Sequence, residues 1–195
     1  MAPPGLTGAK GGITLFLESA VLGVIIGFLR GGRLNRLGRI DFRGWPLALA
    51  ALLLQTLLWI DFGGRRVYTG EWGPYLHLLS YLFLLAFILF NRRQPGLLII
   101  GLGLLLNLLV IAANGGAMPV DGSQLAPPAQ EGLLSGAKSP FHEPLDKTTR
   151  LPLLGDILRL PYGDHRLVSV GDILLGGGLL FFIQRGMQER RKDKR

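Results

Sequence analysis

The stretch Leu97–Asp121, LLIIGLGLLLNLLVIAANGGAMPVD, combines an apolar run long enough to span a membrane with a polar segment that follows it. From Leu97 to Val110 only Asn107 interrupts the apolar residues, so a helix here would be apolar on every face. Such a helix is typical of a membrane span rather than of the surface of a soluble domain. The Asn-Gly-Gly sequence that starts at Asn114 favours a helix end and leads into a long polar segment. This stretch therefore predicts a membrane helix followed by a loop.

The same apolar pattern recurs along the chain of 195 residues, of which 49% are hydrophobic. Prolines open several of the runs, in the first helical turn, where a missing backbone N–H removes no helical hydrogen bond. We predict a single all-α integral membrane domain over residues 1–195 with five transmembrane helices. The predicted spans are 13–29, 45–60, 75–90, 96–113 and 169–184, with a loop at 114–168 and a basic tail at 185–195.

The basic residues lie beside the apolar runs and indicate the orientation of the chain. There are 21 Lys and Arg against 13 Asp and Glu, and the formal net charge is +8. Segments 30–43, 92–93 and 185–195 carry most of the basic residues and follow the first, third and fifth spans. Because Lys and Arg accumulate in cytoplasmic loops, we expect an external N-terminus, a cytoplasmic C-terminus and an extracytoplasmic loop at 114–168. Anionic lipid headgroups explain this charge better than nucleic acid, so no nucleic-acid partner is predicted.

The sequence offers little for a metal site or a reactive thiol. It has no cysteine, which excludes a disulfide framework, a thiol nucleophile and a Cys-ligated metal. His142 and His165 lack the paired spacing of a zinc motif. We therefore predict no metal and no cofactor.

Small residues form a stripe on the first predicted span. Ser19, Gly23 and Gly27 recur every four residues and so share one helix face. Such stripes let a second helix approach closely. We expect this face to contact another helix rather than lipid.

Polar side chains occur at a similar depth in several spans. With a rise of about 1.5 Å per residue, Glu18, Gln55 and Asn107 lie roughly 8–9 Å from the predicted outer ends of their spans. An ionisable group that faces lipid costs about 2.5–3.5 kcal/mol, so Glu18 should face protein or water. Its carboxyl either fastens helices together, with His77 or Gln55 as partner, or serves a function. We expect Glu18, His77, Asn107 and Asp172 to converge in one pocket. The full set of pocket candidates is Glu18, Gln55, His77, Asn107, Asn114, Asp156 and Asp172.

Some of these candidates also have a structural explanation. Ser169 and Asp172 have the S-x-x-D spacing of a capping box, in which Asp172 would satisfy backbone N–H groups at a helix start. Asn114 followed by Gly115 is a signal for the end of a helix. Asn107 and Asn114 are seven residues apart and share a helix face, which suits either a pocket wall or a helix contact.

Two short apolar patches, Leu151–Leu154 and Ile157–Leu160, lie within the long loop. Exposure to water is costly for these patches, while the polar groups around them oppose burial in lipid. We expect the loop to fold over the helix ends and to bring Asp156 near Asp172, since both lie in the sequence GDIL. The two carboxyls would either cap two short helices side by side or share a site. We predict that Asp156 is buried and accepts hydrogen bonds from backbone N–H groups.

Three motifs in this layout resemble those of a known family. They are NGGAMPV after one span, TRLPLLGDIL in the loop and SVGDILLGGG at the start of the last span. The chain in this respect resembles a family of small bacterial integral membrane proteins known only as a domain of unknown function. The resemblance covers most of the chain and implies a multi-pass protein of the bacterial cytoplasmic membrane, with no particular activity. The matching positions are Asn114, Gly115, Gly116, Met118, Pro119, Leu154, Gly155, Asp156, Ser169, Gly171 and Asp172.

A partial resemblance is to lipoprotein signal peptidase. The sequence NGGA is similar to the first signature of that family, and VGD before a Gly-containing helix is similar to the last. The middle signature matches at Gly155 and Arg159, but Leu158 stands where the family has its first catalytic aspartate. That enzyme uses two aspartates that share a proton to activate water. Only Asp156 or Asp164 could replace the missing one.

These features favour a non-enzymatic binding or partner subunit with a polar pocket that opens to the extracytoplasmic side. The alternative is a membrane-embedded hydrolase that acts on a lipid or lipid-anchored substrate, with Asp156 and Asp172 as its acid and base. A secondary transporter is less favoured because the sequence shows no internal repeat. The expected partners are membrane lipids and either a membrane protein partner or a second copy of the chain.

Overall fold

The long helices of the structure coincide with the predicted spans. The structure is a computed structural model that describes residues 11–59, 61–62, 65–66, 71–134, 141–162 and 166–188. The chain is mostly helical. Its helices are α1 (Gly11–Leu29), α2 (Trp45–Trp59), α3 (Gly73–Phe90), α4 (Leu97–Ala113), the short α5 (Pro127–Leu134) and α6 (Val170–Met187). Among the described residues, α1, α3 and α6 are long and apolar enough to cross a membrane, whereas α2 and α4 are shorter apolar helices. Predictions for Ile60, Asp164, His165 and residues 189–195 lie outside the described residues.

The long helices pack in a row. Extensive contacts join α2 to α3, α3 to α4, α4 to α6 and α6 to α1. Over their described residues, α1 and α2 form the two ends of this row and share no comparable interface. The bundle is therefore weakly closed between α1 and α2.

Small residues set the closest helix contacts on both sides of α6. The predicted stripe on α1 faces α6, because a Cβ added to Gly23 would lie 3.0 Å from the carbonyl oxygen of Leu180. Ser19, on the same stripe, is buried. On α4, a Cβ added to Gly103 would lie 2.5 Å from the carbonyl oxygen of Gly171. The prediction that the stripe contacts another helix is confirmed, and larger side chains at these positions would force the helices apart.

The Arg-rich segment 30–43 packs on one end of the row, which we call the basic end. The backbone N–H of Arg33 donates to the carbonyl oxygen of Met187 at the end of α6 (2.9 Å). At the end of α3, the side-chain amide of Asn91 donates to the carbonyl oxygen of Arg43 (2.7 Å) and accepts from the backbone N–H of Arg43 (2.8 Å). These bonds tie the segment to the helix ends.

The described part of the loop 114–168 folds over the opposite end of the row, and we call it the lid. Met118 of the lid packs with Val110 and Ile111 of α4, and a second cluster around Val120 and Leu167 lies within the lid itself. The expectation that the loop folds over the helix ends is confirmed.

The described strands form three short pairs. Outside the lid, β1 (Asp61–Phe62) is antiparallel to β2 (Arg65–Arg66). In the lid, β3 (Met118–Val120) is parallel to β4 (His142–Pro144), and β5 (Leu158–Arg159) is antiparallel to β6 (Leu167–Val168).

The lid departs from the prediction in its local structure. Helix α5 occupies a part of the chain for which only a loop was predicted, and it begins at Pro127, a residue that suits a first helical turn. Asp156 does not cap a helix, because it lies in extended backbone bridged to Val120. The apolar patch 151–154 is only partly covered, since Leu153 stays 76% exposed.

Candidate functional site

A cavity of about 580 Å³ lies between the helices and beneath the lid. Residues of α1, α2, α3, α4, α6 and the lid line it. The structure brings five of the seven predicted candidates together in its wall, namely Gln55, His77, Asn107, Asp156 and Asp172. The other two, Glu18 and Asn114, lie outside it.

Asp172 belongs to a hydrogen-bond network at the start of α6. Its Oδ1 accepts from the side-chain amide of Asn107 (2.9 Å), and its Oδ2 accepts from the backbone N–H of Ser169 (3.1 Å). The Ser169 hydroxyl accepts from the backbone N–H of Asp172 (2.9 Å) and donates to the Asn107 side-chain oxygen (3.0 Å). The predicted capping box is thus confirmed. Both carboxylate oxygens of Asp172 are already used in this network.

Asp156 presents a carboxyl oxygen without a partner. The backbone around it is fixed, because its N–H donates to the carbonyl oxygen of Pro119 (2.8 Å) and its carbonyl accepts from the N–H of Asp121 (3.1 Å). The residue is only 7% exposed, and within the described part of the chain its Oδ1 has no hydrogen-bond partner. The predicted burial of Asp156 is confirmed, whereas the predicted hydrogen bonds from backbone N–H groups to its carboxyl are wrong. The extended backbone explains this, because it has no row of free N–H groups such as a helix start provides.

His142 of β4 lies beside Asp156, with 3.8 Å between His142 Nε2 and Asp156 Oδ2. This separation is too long for a hydrogen bond. Burial raises the pKa of Asp156 well above its usual range, and the negative charge of Asp172 raises it further. Burial also lowers the pKa of His142 to about 4, with a smaller contribution from His77. Both shifts favour a neutral pair, with the proton on the carboxyl rather than on the imidazole.

His77 lies at the lid end of α3, where it contacts the Asn-Gly-Gly sequence that follows α4. The ring Nδ1 lies 3.1 Å from the carbonyl oxygen of Gly116, and since a carbonyl only accepts, Nδ1 carries the hydrogen. Gly116 has φ +104°, a conformation that favours glycine. The ring of Phe141 packs edge-on against His77 at 4.5 Å between centroids, and Tyr81 packs similarly at 5.4 Å. His77 is therefore a fixed part of the cavity wall.

Gln55 joins the wall from α2. Its side-chain amide donates to the hydroxyl of Ser80 on α3 (3.2 Å), and Ser80 in turn donates to the carbonyl oxygen of His77 (2.7 Å). This chain of bonds fixes the lid ends of α2 and α3 relative to each other.

Glu18 does not converge with His77, Asn107 and Asp172, so that prediction is wrong for Glu18. Its carboxylate instead accepts from the Arg166 guanidinium (2.8 Å) and from the Tyr162 hydroxyl (3.0 Å). Both partners belong to the lid. The expectation that Glu18 faces protein is confirmed, but His77 and Gln55 are not its partners. It ties the middle of α1 to the lid.

Asn114 holds the lid from the end of α4. Its side-chain amide donates to the carbonyl oxygen of Arg150 (2.8 Å), and its side-chain oxygen accepts from the backbone N–H of Arg150 (2.8 Å). It lines a separate pocket of about 360 Å³ at the lid surface, together with Glu143 and Asp146. Asn107 and Asn114 therefore have different roles: the first lies in the cavity wall and the second clamps the lid.

Tyr81, Phe141 and His142 are among the wall residues that were not predicted as candidates. From the sequence, His142 was a candidate only for a metal site, and its spacing does not fit a zinc motif. It reaches the cavity because β4 pairs in parallel with β3, at the register Met118 with His142. This pairing joins segments far apart in the chain, so no local spacing signals it. Within the described residues no group of three or more His, Asp or Glu side chains is placed to hold a metal ion.

Comparison with known proteins places the chain in a family. Residues 39–184 match DUF5317, a family of unknown function, and this range contains all the predicted candidates except Glu18. An uncharacterised protein from Thermotoga maritima is 27% identical over 172 residues, which cover 87% of this chain and 88% of that protein. No solved structure matches the chain. The chain belongs to DUF5317, so the predicted membership of a family of unknown function is confirmed.

Proposed function

We propose that this chain is a five-span membrane protein that binds an amphipathic, lipid-like molecule in the cavity beneath the lid. The observation that carries the proposal is the division of the cavity wall. Its lid end carries His77, Asn107, His142, Asp156 and Asp172, and the remainder of its lining is almost entirely apolar. A ligand with a polar head and a hydrocarbon tail matches this division.

The arrangement of the helices supports five spans. Helices α2 and α4 have 15 and 17 residues, so at about 1.5 Å per residue they are shorter than a typical hydrocarbon core of about 30 Å. Both pack lengthwise in the row with the three longer helices, and local thinning of the bilayer can accommodate a short span. The basic end would face the cytoplasm, and the lid would face the outside.

The size and the lining of the cavity support a ligand with a tail. A volume of about 580 Å³ falls within the usual range of about 300–1,000 Å³ for small-molecule sites. Leu84, Phe87, Ile100 and Leu175 line its apolar part. Burying a tail against these side chains would supply favourable free energy of about 0.8 kcal/mol per CH₂ if the tail came from water.

The weak closure between α1 and α2 supports access from the lipid. Phe16 and Leu17 of α1 line the cavity and are 42% and 60% exposed. Gln55 lines it from α2. A membrane lipid could therefore slide between these two helices with its tail still in an apolar environment. The binding role is favoured over a partner-subunit role because this cavity is already formed within one chain.

Binding of amphiphiles that share one tail would test this proposal. Tritiated farnesol, farnesylamine and farnesyl phosphate are offered to the detergent-solubilised full chain. We expect at least one to bind saturably, and we expect Leu84→Trp, which fills the cavity, to weaken that binding by about tenfold or more. Leu82→Trp is the matched control, because Leu82 lies on the same helix and is 52% exposed. Failure of all three probes to bind saturably, or equal binding by both variants, would overturn the proposal.

A second candidate function is the hydrolase with Asp156 and Asp172 as acid and base. Its support is that both carboxyls line one cavity and that the charge of Asp172 acts on Asp156. The binding role is favoured because both oxygens of Asp172 already serve the helix cap. The test is mass spectrometry of phospholipid vesicles that contain the purified protein. A hydrolysis product that disappears with Asp156→Asn would establish the hydrolase, and an inert wild-type protein would exclude it for these lipids.

A further inference from the structure

The polar end of the cavity carries two carboxyls and no described counter-charge. Among the residues that the structure describes, no Lys or Arg lines the cavity. Two basic side chains of the lid lie elsewhere. Arg166 is paired with Glu18 at 2.8 Å, and Arg150 lines the separate surface pocket. A negatively charged headgroup would therefore meet no cation among the described wall residues.

Asp172 presents only acceptor oxygens at this wall. Its two oxygens accept hydrogen bonds from Asn107 and from the backbone of Ser169, and it lies in the first turn of α6. An anionic headgroup brought beside these oxygens would find neither a hydrogen-bond donor on Asp172 nor a cation in the described lining.

Asp156 supplies the second, independent observation. It is more than nine-tenths buried, it lines the cavity, and its Oδ1 has no partner among the described residues. Its backbone is held by the bonds to Pro119 and Asp121, so the position from which the carboxyl extends is fixed. A buried polar atom without a partner is costly, and a ligand group that both donates and accepts would remove that cost.

We propose, on the basis of the proposed lipid-binding function, that the cavity selects an uncharged lipid whose headgroup is a hydroxyl, and that Asp156 hydrogen-bonds this hydroxyl. A neutral alcohol brings no charge to the wall that holds Asp172. It can give or take a hydrogen bond at Asp156 and at the neighbouring His142. A prenyl alcohol or a diacylglycerol belongs to this class, and a phospholipid or prenyl phosphate does not.

Competition among probes that share one tail tests which headgroup the cavity prefers. Farnesol, farnesylamine and farnesyl phosphate differ only at the head. We expect farnesol to bind the full-length protein at least about tenfold more tightly than farnesyl phosphate. We also expect it to bind more tightly than farnesylamine, because the neutral pair of Asp156 and His142 offers an ammonium no opposite charge. Tightest binding of the phosphate would overturn the inference by revealing an anion site. Tightest binding of the amine would overturn it by revealing a cation site.

These outcomes separate the two proposals. If no farnesyl probe binds saturably, the lipid-binding function itself fails. If the tightest-binding probe is not the alcohol, and its binding depends on Leu84, the lipid-binding function stands and only the headgroup inference fails.

Two substitutions of Asp156 test its role. Asp156→Asn keeps a neutral group that donates and accepts, so we expect farnesol to bind within about threefold of the wild type. Asp156→Leu removes both abilities, and we expect at least about tenfold weaker binding. Unchanged binding by Asp156→Leu would remove Asp156 from the site. The Asn variant serves as an independent readout, because Asp156→Leu could disturb the lid. If Asp156→Asn lost farnesol binding to the same extent as the Leu variant, a neutral hydrogen-bonding role for Asp156 would be contradicted.

Discussion

The side-chain amide of Asn107 donates a hydrogen bond of 2.9 Å to Oδ1 of Asp172, and this bond joins α4 to α6 in the wall of the cavity. The other end of the same amide accepts from the hydroxyl of Ser169 at 3.0 Å. Asn107 is only 4% exposed. One side chain thus satisfies two polar groups at the start of α6, in a place where water has little access.

Asn107→Leu should destabilise the protein because it leaves these two polar groups without their partner. A buried polar group without a partner costs about 1–3 kcal/mol, so we expect a clear fall in the thermal unfolding temperature in detergent. The same measurement on Leu105→Ala, at an exposed position of α4, should give a smaller change. An unfolding temperature unaffected by Asn107→Leu would show that the bond contributes nothing to stability.

Gly171→Ala should separate α4 from α6. A Cβ added at Gly171 would overlap the side-chain oxygen of Asn107, and overpacking of this kind costs about 1–3 kcal/mol. Gly177→Ala on the same helix is the matched control, because a Cβ there meets nothing within 4 Å. Thermal unfolding should show a loss of stability for Gly171→Ala and little change for Gly177→Ala. Equal effects of the two substitutions would contradict the close contact.

Asn114→Ala should loosen the lid without unfolding the helices. It removes both hydrogen bonds to Arg150, and at about 0.5–1.5 kcal/mol for each bond we expect amide exchange across residues 145–160 to become about tenfold faster. Asn114→Asp keeps the acceptor for the Arg150 N–H and should show an intermediate effect. Hydrogen exchange by mass spectrometry measures both. Rapid exchange across 145–160 already in the wild type would mean that the lid is not held as the structure shows.

Asp156 should hold its proton at a pH at which an ordinary aspartate has lost it. Its pKa is raised by burial and by the charge of Asp172, so the protonated form persists as the pH rises through the usual range. The infrared difference between wild type and Asp156→Asn at pH about 5 should contain a protonated carboxyl band, whereas a model aspartate with pKa about 3.9 is mostly ionised there. The matched control is Asp146→Asn in the same lid. Hydrogen bonds from Thr148 and Thr149 lower the pKa of Asp146, and its substitution should remove no such band. A fully ionised Asp156 at this pH would contradict the neutral pair with His142.

The parts of the fold that follow from local patterns were predictable from the sequence. The apolar run from Leu97 and the exit at Asn114 define α4, because a helix in lipid needs length and a helix end needs a suitable residue. The cap formed by Ser169 and Asp172 follows from a three-residue spacing. Each of these signals lies within a few turns of one helix.

The parts that depend on distant segments were not predictable in this way. Glu18 meets Arg166, a residue 148 positions away, and no periodicity links the two. His142 reaches the cavity through a parallel strand pair, which local sequence does not encode. Membrane depth alone therefore grouped Glu18 wrongly with the cavity residues, since depth does not say which way a side chain on a helix points.

Photocrosslinking from α1 tests the central claim, that a lipid-like molecule reaches the cavity between α1 and α2. A benzophenone amino acid is placed at Phe16, which lines the cavity, or at Phe28, which is 53% exposed on the same helix near the basic end. The probe is tritiated farnesol in membrane vesicles. At position 16 we predict labelling that excess unlabelled farnesol abolishes and that Leu84→Trp prevents. At position 28 we predict only labelling that does not saturate. Equal, non-saturable labelling at both positions, unaffected by Leu84→Trp, would contradict the account.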